Sequence, residues 1–316
     1  MTNSKIPVTI ITGFLGAGKT TLLNSIIARY PDLKFAIIEN EFGDVPIDQE
    51  LVVGLDEGIF ELSNGCICCT LYSELGEVLQ KLASDNYQFD HLLIETTGIA
   101  EPDAVAAAFI GPGKGKTFEL DGTICVADAQ YIAQTLSERG EAVKQVSFAD
   151  LIMLSKTGII GETEIKKAET AIRAINENAP LIRKRKQLPD NPNLLNLQAY
   201  NWKKVEMELM THHEHVHDKL ASHSFVIEQP LDPANFEHWM SMLITFSGSQ
   251  LYRIKGVLNI KDEAHKMIFQ SVRNSNKINV GEKWRDDEQR QTRIVFIGYN
   301  IDRKPLEKGL NSCLSK

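Results

Sequence analysis

The sequence predicts an α/β protein, with a mostly parallel, doubly wound sheet in residues 1–185 and a small α+β domain in residues 224–316. Three observations carry this reading. Short, continuous apolar runs alternate with helical patterns through the first half, as buried parallel strands and their crossover helices do. A glycine-rich loop, GFLGAGKT at 13–20, sits between the first apolar run and the first helical pattern. The character then changes between about 183 and 223, where RKRK, LPDNPN and THHEHVHDKLASH occur, and strand-like runs resume beyond.

PVTIIT (7–12) is apolar and β-branched, which suits a buried strand, and KTTLLNSIIARY after the loop repeats apolar positions at helical spacing. Further strands are expected at 34–39 (KFAIIE), 58–62 (GIFEL), 90–95 (DHLLIE), 121–127 (DGTICVA) and 149–154 (ADLIML). Residues 186–223 form the expected linker. Beyond it, SFVIE, LYRIKGVLNI, HKMIFQSVR and TRIVFIGYN read as strands. DPANFEHWMSMLITF opens with Asp and Pro in helix-starting positions, and a last helix closes the chain.

At 316 residues, with 43% hydrophobic and 24% charged side chains, the chain is long enough for two cores. Its 34 basic and 42 acidic residues leave a formal charge of −8, so no broad basic face for nucleic acid or anionic lipid is expected. No apolar run approaches the ~18 residues that span a bilayer, and MTNSKIPVTI lacks a signal peptide's apolar core. The expected location is the cytoplasm.

In the loop, Gly13, Gly16, Ala17 and Gly18 let successive backbone N–H groups face phosphate oxygens at the positive end of the next helix. Lys19 is placed to reach the β- and γ-phosphates, Thr20 to ligate Mg²⁺, and Thr21 to meet the α-phosphate. A nucleoside triphosphate is therefore the expected ligand. IENEFGD (38–44) leaves the second strand at the edge where such sheets bind ligands, so Glu39 and Glu41 are candidates for magnesium, water or a second metal, against the plainer alternative of a carboxylate-bearing surface turn. In LLIETTGIAEP, Glu95 ends a buried strand and Gly98 can approach a γ-phosphate closely.

NGCICC (64–69) supplies Cys66, Cys68 and Cys69 on a turn after the GIFEL strand, on the same sheet edge as the phosphate loop. Three thiolates favour Zn²⁺ or Cu(I) and leave a tetrahedral ion one open position, which suits transfer. A closed structural zinc site and plain buried cysteines remain alternatives. Cys125 and Cys313 read as packing residues. Five of the eight histidines lie between 212 and 223, and a solvated linker and a weak metal-capture arm compete there.

Taken together, GFLGAGKT, ENEFGD, NGCICC and IETTGIAEP resemble the CobW-like family of P-loop GTPases, in its zinc-linked YjiA-type branch. LYRIKGVLNI, IFQSV, KWRDDEQRQTRIVFIG and the closing helix extend the resemblance into the second domain. It implies a GTP hydrolase with Mg²⁺ that couples nucleotide state to delivery of zinc, cobalt or another transition metal to a client protein, with a nucleotide- or metal-dependent homo-oligomer as one mode of assembly. Carried over by position, Lys19, Thr20 and Glu95 serve catalysis, Glu39 and Glu41 the metal region, and Cys66, Cys68 and Cys69 the cargo ion. One departure stands out. Where the family usually carries Asn-Lys-x-Asp, this chain has Ser155, Lys156, Thr157 and Gly158. The absent Asp would accept two hydrogen bonds from guanine, so a weakened preference for GTP over ATP is expected, with Lys156 stacking on the base and Ser155 still offering it a hydrogen bond. A P-loop kinase or ATPase with a structural zinc site is the second reading, and a metal-buffering protein with little turnover the third.

Overall fold

The computed structural model describes residues 5–39, 59–61, 71–84, 88–110, 117–184, 193–200, 215–217, 220–248 and 250–315. The chain divides into two compact units, the first Met1–Phe109 with Gly113–Ala199 and the second Tyr200–Lys316 with Ile110–Pro112.

In the first unit, strands β1 (Ile6–Thr12), β2 (Phe35–Glu39), β3 (Ile59–Glu61), β4 (His91–Glu95), β5 (Phe118–Asp128), β6 (Leu151–Ser155) and β7 (Leu181–Arg183) form one sheet in the order β3-β2-β4-β1-β5-β6-β7. Every pairing in it is parallel. The helices are α1 (Lys19–Arg29), α2 (Leu71–Ser84), α3 (Pro102–Ala106), α4 (Ile132–Glu138), α5 (Gly140–Phe148) and α6 (Glu162–Arg173). Alternate residues of one strand point to opposite faces, and β5 shows both faces covered. Ile124 and Val126 pack with Leu22, Leu23 and Ile26 of α1. Cys125 and Ala127 pack with Ile132 of α4, Val146 of α5 and Ile165, Ala168 and Ile172 of α6. That arrangement explains why the strands read as unbroken apolar runs rather than alternating ones.

Part of the span expected as linker, 186–223, packs with the first unit. Leu194, Leu195 and Leu197 are buried in the first core, and the tether is a bulge in β5. Val8 pairs with Leu120 and Thr9 with Gly122, so Asp121 is the extra residue. Its carboxylate accepts the Leu197 and Gln198 N–H groups, each at 2.8 Å, while its carbonyl accepts Ala199 N–H. Thr9 hydrogen-bonds both His91 (2.8 Å) and Asp121 (3.4 Å) beneath it. Burial pushes the Asp121 carboxyl up and lowers His91 to about 4.

The second unit is an antiparallel sheet of β8 (His215–His217), β9 (Leu220–Ile227), β10 (Leu251–Leu258), β11 (His265–Val272), β12 (Ser275–Lys283) and β13 (Thr292–Tyr299), ordered β12-β11-β10-β13-β9-β8. Two helices, α7 (Pro233–Ser247) and α8 (Arg303–Ser312), bury Phe236, Met240, Ile244, Leu306 and Leu310 against Phe225, Ile254, Phe269 and Phe296. Asp232 caps α7 by accepting Asn235 N–H at 2.9 Å, with Pro233 opening the helix as the sequence implies. β8 and the start of β9 fall inside the span read as linker. Cys125 and Cys313 are both buried and free, and burial raises the Cys125 thiol to about 12, which fits a packing role. Among the described residues no helix is long and apolar enough to cross a membrane.

Candidate phosphate and metal site

The phosphate loop leaves β1 at the carboxyl edge of the sheet. Gly13 has φ +143°, and a Cβ there would lie 2.2 Å from the Val126 carbonyl oxygen, so no other residue lets the loop start so close to β5. Gly18 holds the N-cap of α1 at φ +98°, and among the described residues no side-chain hydrogen bond caps that helix. The first-turn N–H groups thus lack the side-chain acceptor that usually occupies them, which is the donor set a phosphate takes. A Cβ on Gly16 would meet nothing among the described residues within 4 Å, so the turn has room for a ligand.

Glu95, the last residue of β4, is buried, and one of its carboxylate oxygens accepts the Thr20 hydroxyl at 2.9 Å. A hydroxyl and a carboxylate in contact at a phosphate loop are hard oxygen donors suited to Mg²⁺. Parallel register aligns Glu95 with Glu39 of β2, and Glu39 with Glu61 of β3, which puts three glutamates in a row at the carboxyl ends of neighbouring strands. Glu61 was not singled out by sequence reasoning; only the pairing register shows the row.

After Glu95 the chain stays against the phosphate loop. Thr96 donates its N–H to Ile11 O (2.9 Å) and its hydroxyl to Thr12 (3.1 Å). Gly98 is in closest approach: a Cβ there would lie 2.6 Å from Leu15 N and 2.7 Å from Leu15 Cα. The Thr97 hydroxyl between them is buried with no hydrogen-bond partner among the described residues. Buried orphan donors of this kind fit a site completed by a polar ligand.

Ser155 and Lys156 follow β6. The Ser155 hydroxyl lies 2.7 Å from the Ala17 carbonyl oxygen and 3.1 Å from that of Ala127, and it is buried. Its proton is within reach of both carbonyls, so the hydroxyl ties β6 to Ala17 of the phosphate loop and to β5, while its oxygen keeps acceptor capacity. Lys156, at φ +57°, donates to Gly16 O (2.9 Å) and pairs with Asp128 (2.6 Å) at the end of β5. Its ammonium thus braces the loop, while its stem stays available to a base. The Thr157 hydroxyl donates to Lys184 O (2.9 Å), and the Lys184 ammonium reaches Ser25 of α1 at 3.0 Å. Burial lowers the Lys184 ammonium's pKa. Asp128 and Lys184 carry no sequence signal beyond lying just past apolar runs.

The structure thus brings Gly13, Gly16, Ala17, Gly18, Lys19, Thr20, Thr21, Glu95, Gly98, Ser155 and Lys156 to one sheet edge. Cys66, Cys68, Cys69 and Glu41 lie outside the described residues, as do His212 and His213, and Glu39 is described by its backbone only.

A phosphate loop bonded to a strand-end glutamate defines a P-loop nucleotide-binding protein. Residues 7–183 match the family described as CobW/HypB/UreG, nucleotide-binding domain, and residues 220–314 match the Cobalamin synthesis protein cobW C-terminal domain. The chain belongs to the CobW/HypB/UreG family of P-loop GTPases. It is 33% identical to Zinc chaperone YjiA of Escherichia coli over 309 residues, covering 95% of this chain and 96% of that one. It is 31% identical to Zinc chaperone CobW of Pseudomonas aeruginosa, covering 99% and 93%. Among solved structures, the Zn(II)-bound YjiA GTPase from E. coli superposes with a TM-score of 0.73 at 28% identity, covering 99% of this chain and all of that one (100%).

Proposed function

We propose that this chain is a GTP-dependent metallochaperone, which loads a transition metal, zinc foremost, on Cys66, Cys68 and Cys69 and passes it to a client protein under control of nucleotide state. The observation that carries this reading is the Thr20–Glu95 contact. It joins the phosphate loop to the strand row in which Glu39 and Glu61 take their places, and Cys66, Cys68 and Cys69 follow Glu61 within eight residues of sequence. The names of the relatives, two of them zinc chaperones, support zinc as cargo. Three thiolates with one open position suit an ion that must leave again.

In hydrolysis, a water oxygen forms a bond to the γ-phosphorus as the bond to the β,γ-bridging oxygen breaks, and the proton of the water leaves with inorganic phosphate or solvent. Lys19 and the uncapped N–H groups of α1 stabilise charge on the transferring phosphoryl group. Thr20 and Glu95 would hold Mg²⁺, whose contribution is neutralisation of phosphate charge. Gly98 brings the β4–α3 segment to the phosphate loop, so the presence or loss of a γ-phosphate is felt where β4 meets the glutamate row. The test is hydrolysis of GTP by the zinc-loaded chain with a metal-accepting chelator present. Zinc release that tracks turnover, and disappears in Cys68→Ala, supports the reading; release independent of nucleotide overturns it.

A further inference from the structure

Helix α5 grips the segment that follows Glu95. Gln145 is 1% exposed, and its side-chain amide donates to Gly98 O at 3.0 Å and to Ala100 O at 3.1 Å. Both amide hydrogens are thereby used. The opposite amide orientation would set an oxygen against two carbonyl oxygens, so the assignment is fixed by its partners. One residue earlier, Lys144 pairs with Glu101. Two neighbouring side chains of α5 thus hold three residues of the stretch 98–101.

That stretch is the one pressed on the phosphate loop, with Gly98 against the backbone of Leu15. Gln145 is an expensive residue to bury here, because its carbonyl oxygen has no hydrogen-bond donor among the described residues. An apolar side chain of similar length would remove that orphan oxygen but leave the Gly98 and Ala100 carbonyls without these donors. What Gln145 supplies instead is a pair of donors that fix where Gly98 and Ala100 sit relative to Leu15.

We propose that Gln145 is a positioning residue for the terminal phosphate: it holds Gly98 against the phosphate loop, so that triphosphate is distinguished from diphosphate and hydrolysed. The proposal rests on the nucleotide-hydrolysis reading above and assigns a residue outside the phosphate loop to it. Helix α5 ends just before β6, whose last residue Ser155 holds Ala17. The same stretch of chain therefore braces the phosphate loop on two sides.

The test compares the full-length protein with Gln145→Met and Gln145→Asn. Met keeps the length and removes both donors; Asn keeps the amide but is too short to span both carbonyls, and it carries the test if the Met variant does not fold. Asn176→Ala is the structural control. The Asn176 amide donates to Val146 O and Ala149 O at the carboxyl end of α5, at 2.8 and 2.9 Å, rather than to carbonyls of 98–101. Measured quantities are the affinities for a fluorescent non-hydrolysable GTP analogue and for GDP, kcat and KM for GTP, and the thermal midpoint. Both Gln145 variants are expected to lose about tenfold or more in the triphosphate-to-diphosphate affinity ratio and in kcat, with GDP affinity unchanged. Asn176→Ala is expected to lower the thermal midpoint and leave the ratio alone. An unchanged ratio and kcat in a folded Gln145 variant overturns the proposal, as does an equal change in Asn176→Ala. Wild-type protein with neither triphosphate preference nor hydrolysis overturns the parent reading and this one with it.

Discussion

Gly98→Ala places a methyl group where the β4–α3 segment crosses the phosphate loop. The new Cβ would lie 2.6 Å from Leu15 N and from Leu15 Cδ2, and 2.7 Å from Leu15 Cα. The Leu15 side chain can rotate away, being 63% exposed, but its backbone cannot. Ordinary contact begins near 3.4 Å, so the two segments must part by the difference, 3.4 − 2.6, or about 0.8 Å. Overpacking of this kind costs about 1–3 kcal/mol of stability. A displacement near 1 Å at a reacting centre can cost about 100-fold in rate. Gly98→Ala is therefore expected to fold, to bind GDP as wild type does, and to lose about 10- to 100-fold in kcat for GTP. Single-turnover hydrolysis with matched thermal melts measures both. Wild-type kcat and wild-type triphosphate affinity in the folded variant would refute the idea that this crossing senses the γ-phosphate.

A Cβ on Gly158 would meet no heavy atom of the described residues within 4 Å, so Gly158→Asp fits without strain and adds a carboxylate acceptor beside Lys156. It should raise the GTP-over-ATP affinity ratio by roughly 10- to 100-fold, the value of a charge-assisted pair, as read by competition of the two nucleotides; an unchanged ratio rules this position out as the base reader. His91 is 3% exposed, with a pKa lowered from 6.5 to about 4 by burial. Its neutral form is the folded one, so its contribution to stability is complete above pH 6.5, declines as pH falls towards 4, and is flat below. The change is about 3 kcal/mol, from a shift of 6.5 − 4 units. Asp103, raised to about 6 by burial, slopes the other way between 3.8 and 6. The difference between wild type and His91→Gln in denaturant melts at each pH isolates the histidine, and a pH-independent difference contradicts the assignment. Asp121→Ala removes the acceptor of two backbone N–H groups and should cost about 2–4 kcal/mol and expose the 193–199 segment to proteolysis; Asp121→Asn should cost less, and equal losses would disfavour the tether.

Much of this architecture is legible in residues. The phosphate loop is readable because glycine at 13 and 18 answers backbone demands that other residues meet poorly. The parallel sheet is readable because strands covered on both faces lose the alternation that a half-exposed strand keeps. Other elements leave no such trace. β7 is three residues, Leu181–Arg183, running into the RKRK cluster, and Arg183 reads as the start of a linker although it pairs with Glu162 and Glu169 of α6. β12, SNKINVGEK, is a polar edge strand without a buried face to pattern it. Ser155 shows why roles outrun motifs. A hydroxyl after a strand suggests a contact to a base, and only the structure shows that it also ties the strand to Ala17. Gln145 is one polar residue in an amphipathic helix until its two acceptors are seen.

The coupling of metal to nucleotide is the claim on which the rest depends, and linkage makes it measurable. Zinc affinity of the full-length protein, titrated against a competing chelator, should differ between the GTP-analogue and GDP forms by about 5- to 150-fold. Zinc should shift affinity for the analogue by the same factor, and Cys66→Ala should abolish both effects. Equal zinc affinity in the two nucleotide forms would contradict the account.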